Sequence, residues 1–152
     1  MSAKSSKAKG RRLQNWVRDK LRYAFITAWT KLPTLEDDDI KSQTMGMTGE
    51  DIILSPAARK IIPYSFECKN VEKLNIWSAI DQAETNAPNN CTPVAIIKRN
   101  RSKVYVVIEF DAWINNIGGS NEPVQRSNQR ITNSKNHGNS SKSTRNKRKR
   151  RS

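Results

Sequence analysis

From Gly118 onward the chain offers a folding core almost nothing. Residues 118–152 are mostly Ser, Asn, Lys and Arg, with ten Lys/Arg against one Glu, and they close on Lys147-Arg-Lys-Arg-Arg151. Such a composition cannot bury enough apolar surface to offset the entropy of ordering, so the segment is read as a disordered basic tail. The first nine residues are read the same way. Any fixed shape must then come from residues 10–117, enough for one domain of ordinary size.

The formal net charge of +14 sits at the two ends. Residues 1–20 hold seven Lys/Arg against one Asp, whereas residues 21–117 hold eleven basic and twelve acidic residues. Basic ends on a neutral body point to a polyanion, because counterion release lets Lys/Arg runs bind phosphate backbones without regard to sequence. An anionic membrane is the competing partner, but neither end carries an apolar face or a lipidation signal. No apolar run approaches the roughly 18–20 residues of a membrane span. The opening MSAKSSKAKG lacks the apolar core of a signal peptide, so an intracellular protein is expected. Cys68 and Cys91, with His137 in the tail, show no metal-ligand spacing, and no structural zinc is expected.

Between Arg11 and Trp29, the residues Leu13, Trp16, Val17, Leu21, Ala24, Phe25 and Ala28 recur at three- and four-residue intervals, the stripe of an amphipathic helix. Pro33 ends it, and Glu36-Asp-Asp-Asp39 opens a polar, mobile loop to about Gly49 in which the acids face solvent. Asp51–Leu54 reads as a short strand, and Ser55-Pro56 as an N-cap with proline in the first turn of a helix through Ile61. In Tyr64–Asn70, Tyr64, Phe66 and Cys68 alternate with Ser65, Glu67 and Lys69, the pattern of a half-buried strand. Leu74, Trp77, Ile80 and Ala83 mark a helix to about Ala87. Thr92–Ile97 and Val104–Ile108 form a hairpin around the basic turn Lys98–Lys103. Phe110–Ile117 is a last short helix with Trp113 and Ile117 turned inward. By spacing, Trp16, Trp29, Trp77 and Trp113 read as core residues, with base stacking as the alternative. The whole is an α/β fold, a mixed β-sheet flanked by helices.

Phosphodiester hydrolysis at neutral pH calls for a divalent cation that polarises the phosphoryl oxygen and lowers the pKa of the attacking water. Magnesium takes hard oxygen ligands and keeps several waters, so one or two carboxylates suffice, and manganese can substitute. Asp51 heads one expected strand and Glu67 lies on the next, so their polar faces converge if the strands are neighbours. Lys69 projects from the same face as Glu67 and can meet a phosphate or the attacking water. Cys68 points the other way, leaving its backbone carbonyl as a further metal ligand. The plain alternative is a solvated strand face with a surface ion pair. Lys98, Arg99, Arg101 and Lys103 in the turn, and Arg11, Arg12 and Arg18 on the first helix, are candidate DNA-phosphate contacts. Each is equally open to reading as a solvated cation.

Gly49-Glu-Asp-Ile52 followed by Phe66-Glu-Cys-Lys69 resembles the PD-(D/E)xK nuclease superfamily, with Glu50-Asp51 where proline-aspartate usually stands. KGRRLQNWVRDKL, TMGMTGEDIILSPAARK, FECKNVEKLNIWSAIDQAE and TPVAIIKRNRSKVYVV are similar to small bacteriophage nucleases related to Holliday-junction resolvases, over about residues 9–117. The resemblance implies a restriction-endonuclease-like core, metal ligation by Asp51 and Glu67, and a catalytic Lys69. It also implies a branched-DNA substrate, a homodimer, and action in the host cytoplasm. Gln14 stands where many relatives carry an acidic metal ligand on the first helix, and Gln82 resembles a glutamine that some branches use near the site. Glu50 is either a supplementary ligand or an exposed neighbour. Two other functions stay open: a non-catalytic basic DNA-binding protein that keeps the fold, and a nuclease for nicked or linear duplex. The tail is read as an electrostatic tether for DNA or as an import-like signal.

Overall fold

The computed structural model describes residues 3–27 and 34–118. Trp29, the tail beyond Gly118 and His137 lie outside the described residues, and so do the readings made for them. The chain opens on α1 (Ala3–Arg22) and continues as a π-helical turn over Tyr23–Thr27. A 3-10 turn at Asp37–Asp39 leads into β1 (Ile40–Ser42), followed by β2 (Ile52–Leu54), α2 (Pro56–Ile61) and β3 (Tyr64–Asn70). Then come α3 (Ile76–Asn86), β4 (Thr92–Lys98), β5 (Tyr105–Ile108) and α4 (Phe110–Ile117).

Two small sheets make the body. β3 and β4 run parallel, with Phe66 opposite Val94 and Glu67 opposite Ala95, and α3 supplies the crossover that a parallel pair requires. β5 then folds back antiparallel on β4, placing Val107 opposite Ala95, so the mixed sheet and the hairpin are both present. β4 is the central strand and reads as the continuous apolar run expected of one covered on both faces, with Val94, Ala95 and Ile96 buried. β1 and β2 form a separate antiparallel pair whose Ile40, Ile52 and Leu54 enter the core.

Leu13 and Val17 of α1 pack with Phe66, Cys68, Val94 and Ile96 on one face of the three-stranded sheet. On the other, α3 lies against β3 and β4 through Ala79 and Ala83. These side chains are short enough to let the helix approach closely. Ser55 caps α2, accepting from the Ala58 amide at 3.1 Å with Pro56 in the first turn, as its sequence predicts. Asn75 caps α3 in the same way.

Several expectations need correction. Where a disordered basic arm is expected over residues 1–9, α1 already begins at Ala3. Its Ala- and Lys-rich first turns are good helix formers, and Lys9 is fastened at both ends. Its ammonium donates to Asn100 Oδ1 at 2.9 Å, and its carbonyl accepts from Asn70 Nδ2 at 3.2 Å. The loop after Pro33 holds β1, and its acids partly work as caps: Glu36 and Asp39 form a reciprocal capping box. β3 is buried on both faces, because α3 covers Ser65 and Glu67 while α1 covers Phe66 and Cys68. Three tryptophans are not core residues. Trp16 is half exposed and Trp77 is 75% exposed, since alanines rather than Trp77 meet the sheet. Trp113 and Ile117 face outward; Ala112 is the buried residue of α4, and Trp113 packs on Phe110 at 5.9 Å between ring centroids.

Two substitutions separate the alanine face of α3 from its aromatic one. Ala83→Leu is expected to lower stability in urea unfolding by about 1–3 kcal/mol through overpacking. Trp77→Ala should change it by less than about 0.5 kcal/mol.

Candidate active site

Asp51 stands where the two sheets meet. Its amide donates to the Phe66 carbonyl and its carbonyl accepts from Gln43 N, both at 2.8 Å, so the residue before β2 extends the open edge of β3. Gly49, two residues earlier, has φ +103°, a conformation that favours glycine and turns the chain into this position. The Asp51 carboxylate then reaches along the same edge. Oδ2 accepts from Cys68 N at 2.6 Å, and Oδ1 accepts from the side-chain amide of Gln14 on α1.

Backbone groups of alternate strand residues point to the same side. Phe66 O and Cys68 N both face Asp51, so the Cys68 carbonyl opens toward that edge as well.

Glu67 is 3% exposed, yet both of its oxygens have partners. Lys69 Nζ lies 2.6 Å from Oε1, and Asn86 Nδ2 donates to Oε2 at 3.0 Å. Lys69 also donates to Gln82 Oε1 at 2.6 Å. The two α3 side chains therefore hold the acid and the base of the Glu-x-Lys pair. A carboxylate has about four lone-pair positions, so two partners leave Glu67 with acceptor capacity.

The field around Asp51 is unfavourable to its charge. Burial is the main cause of a raised carboxyl pKa, the Cys68 amide opposes it, and the Glu67 carboxylate adds to it. Gln14 and Lys69 offset only part of this. Burial also pushes the Cys68 thiol well up, with Asp51 and Glu67 adding to the effect, so it stays protonated and is no nucleophile.

The structure thus brings Asp51, Glu67, Lys69, Gln14, Gln82 and the Cys68 backbone together. Among the described residues, no group of three or more His, Cys, Asp or Glu side chains comes close enough to hold an ion. The donor set on hand is two carboxylates, a carbonyl and an amide. All are hard oxygens, and two carboxylates with water suit magnesium. The raised pKa of Asp51 fits the same reading, since a bound cation would favour the charge that burial penalises.

Glu50 is not the exposed neighbour considered above. Its carboxylate is ion-paired with Arg59 of α2, which also donates to the Tyr64 carbonyl at 2.8 Å. Oε2 of Glu50 is buried with no hydrogen-bond partner.

The basic candidates separate. Arg11 donates to the Gln43 carbonyl at 2.6 Å and reaches Gln14 Oε1 at 3.5 Å, so it braces the site from behind. Arg18 pairs with Asp19 at 2.8 Å. Arg12, Lys98 and Lys103 line one groove, and Arg99 and Arg101 lie with Lys103 on the adjoining face of the turn.

Two residues at the site escaped the sequence reading. Asn86 follows Gln82 by four residues, so it shares that helix face, and this spacing was the available signal. Arg59 carried no signal, because its partner Glu50 is nine residues away across a turn.

The family model described as "Phage putative PDDEXK endonuclease" matches residues 5–146. Among curated proteins nothing matches the chain, and the same holds among solved structures. No described helix is long and apolar enough to cross a membrane.

Asp51 is expected to destabilise the metal-free fold. A carboxyl whose pKa is raised on folding contributes most at low pH, and that contribution is lost as pH climbs from the ordinary value of 3.8 through the raised one. In EDTA, Asp51→Asn should therefore melt roughly 2–6 °C above the wild type at pH 7. The difference should close as pH falls toward 3.8. Thermal melts across pH measure both.

Proposed function

Because the chain belongs to the phage PDDEXK endonuclease family, we propose that it is a magnesium-dependent endonuclease hydrolysing phosphodiester bonds in branched DNA. The observation that carries this reading is the convergence of Asp51, from the edge before β2, on the Glu67–Lys69 segment of β3. Asp51 and Glu67 would hold the metal, with the Cys68 carbonyl as a third oxygen and water completing the shell. Manganese is the expected substitute. When bound, the ion supplies Lewis-acid polarisation of the phosphoryl oxygen and a water of lowered pKa.

The chain's own residues do the positioning. Gln14 fixes one oxygen of Asp51 and the Cys68 amide fixes the other. Asn86 fixes Glu67, and Gln82 steers the Lys69 ammonium. Lys69 neutralises Glu67 in the free protein and is the cation nearest the carboxylates, placed to meet a scissile phosphate or the attacking water. Gln14, a neutral ligand or water-orienting group, leaves the site with two charged donors. That count is also what favours the second reading, a DNA-binding protein that keeps the fold without cleaving.

Symmetric cutting of two strands needs two centres, and α4 offers a surface that suits a second copy. Phe110, Trp113, Ile114 and Ile117 recur at i, i+3, i+4 and i+7, and all four are exposed. Such a stripe is the usual material of an isologous helix contact. The proposed setting is the host cytoplasm.

Cleavage of four-way junctions, flaps and linear duplex, each with magnesium or EDTA, tests the assignment. Wild type is expected to cut junctions fastest and only with the metal. Glu67→Gln, Asp51→Asn and Lys69→Met should each lose about 10²–10³-fold or more in rate. Equal product from wild type and Glu67→Gln would leave the DNA-binding reading standing. Faster cutting of linear duplex would keep the nuclease and remove the branched substrate.

Sedimentation of Trp113→Glu tests the pairing. The variant is expected as a monomer at concentrations where wild type is a dimer, and a wild-type monomer would sink it.

A further inference from the structure

A groove of about 560 Å³ lies between α1 and the β4–β5 turn, within the size range of small-ligand sites. Its lining combines three chemistries. Trp16 and Leu13 supply an aromatic and apolar wall, Arg12, Lys98 and Lys103 supply cations, and Asn70 and Ser102 supply polar edges. No acidic residue lines it, so it suits an anionic ligand with an apolar, planar part.

We propose that this groove receives one unpaired nucleotide of the DNA substrate, its base stacked on Trp16 and its phosphate held by Arg12 and Lys103. The inference rests on the DNA reading above and narrows it to DNA with an unpaired base near the cut.

Three observations carry it. Trp16 is 46% exposed although it lies one position from buried Val17, so its ring is presented to the groove rather than spent on the core. Lys20 lies over one face of that ring, with Nζ 5.6 Å from the centroid, which leaves the opposite face for a base with the cation across the ring from it. The groove also adjoins the proposed reaction centre on two elements. Asn70 ends β3 three residues past Glu67, about 10 Å along the strand and on its opposite, α1-facing side. On α1, Gln14 lies between the groove residues Leu13 and Trp16 and reaches Asp51.

The turn that closes the groove is built rather than loose. Lys98 Nζ donates to the Ser102 carbonyl at 2.5 Å, and Ser102 Oγ accepts from Arg99 N at 3.1 Å. Arg101 takes the left-handed conformation, φ 57°, that the tight reversal requires. A paired base shows a protein only its edges, because its faces are buried in the stack. An aromatic wall flanked by cations is therefore matched to a base outside the stack, as on single-strand platforms.

The test uses the complete chain in EDTA and two labelled duplexes of equal length. One is continuous and the other carries a single bulged 2-aminopurine. Wild type is expected to bind the bulged duplex about tenfold more tightly, the scale of one base–aromatic stack. Trp16→Ala should bind both alike, and Trp16→Phe should keep most of the preference. In the wild-type complex the 2-aminopurine emission should fall below that of the free bulged duplex.

Equal affinity of wild type for both duplexes would overturn the proposal. So would a preference retained by Trp16→Ala melting like wild type, which would mean phosphate contact alone. Should Trp16→Ala fail to fold, an unquenched 2-aminopurine in the wild-type complex overturns it. Cleavage in magnesium reads the other hypothesis separately. No product on any DNA removes the nuclease while the bulge preference stands, and cleavage without that preference removes only the groove.

Discussion

The architecture turns on the way Asp51 joins the edge of β3. Its amide completes a backbone hydrogen bond with Phe66, and its carboxylate takes the Cys68 amide, so one residue continues the open sheet edge with main chain and side chain together. The β1–β2 pair is thereby docked on the three-stranded sheet, and a carboxylate is delivered beside Glu67 by the same contact.

The rest of the site follows from the cost of keeping two carboxylates away from water. A buried charge is tolerated when paired and hydrogen-bonded. Glu67 meets that condition through Lys69 and Asn86, whereas among the described residues Asp51 has only neutral donors within hydrogen-bonding distance. The difference explains why the centre is lopsided, with a neutralised acid on β3 and an unneutralised one facing it. A divalent cation is the ligand that such an asymmetry favours. The helix that supplies Asn86 and Gln82 can lie so close because its sheet-facing residues are alanines.

Much of this was legible in the sequence, and the limits have physical causes. The alternation in Tyr64–Asn70, the apolar run of β4 and the Ser55-Pro56 cap each report a local conformational preference, and each element formed. The Glu-x-Lys spacing placed its two side chains on one face because the strand period is two. What the chain does not write locally is which faces find partners. The reading of α4 correctly put Trp113 and Ile117 on one face, but periodicity cannot say that Ala112 is the residue the helix buries. Trp77 was misjudged for a related reason, since the buried side of α3 is defined by residues small enough to clear Glu67. β3 looked half-buried because its residues alternate, whereas its polar face is covered by a helix rather than by water. The β1 strand was hidden because three residues give no periodicity, and its partner β2 lies beyond a nine-residue connection.

The open flank of a β-sheet is also a hazard, because unpaired amides and carbonyls on a strand invite pairing with other chains. In β3 that flank runs along the segment bearing the proposed chemistry, and Asp51 occupies it at Phe66 and Cys68. The carboxylate thus acts as an edge guard: it occupies the Cys68 amide and sets a charge where a foreign strand would have to lie. A shorter side chain there would uncover an amide on an apolar strand. Solubility and the proposed chemistry then constrain the same position, and a residue retained for the first would look as though it were retained for the second.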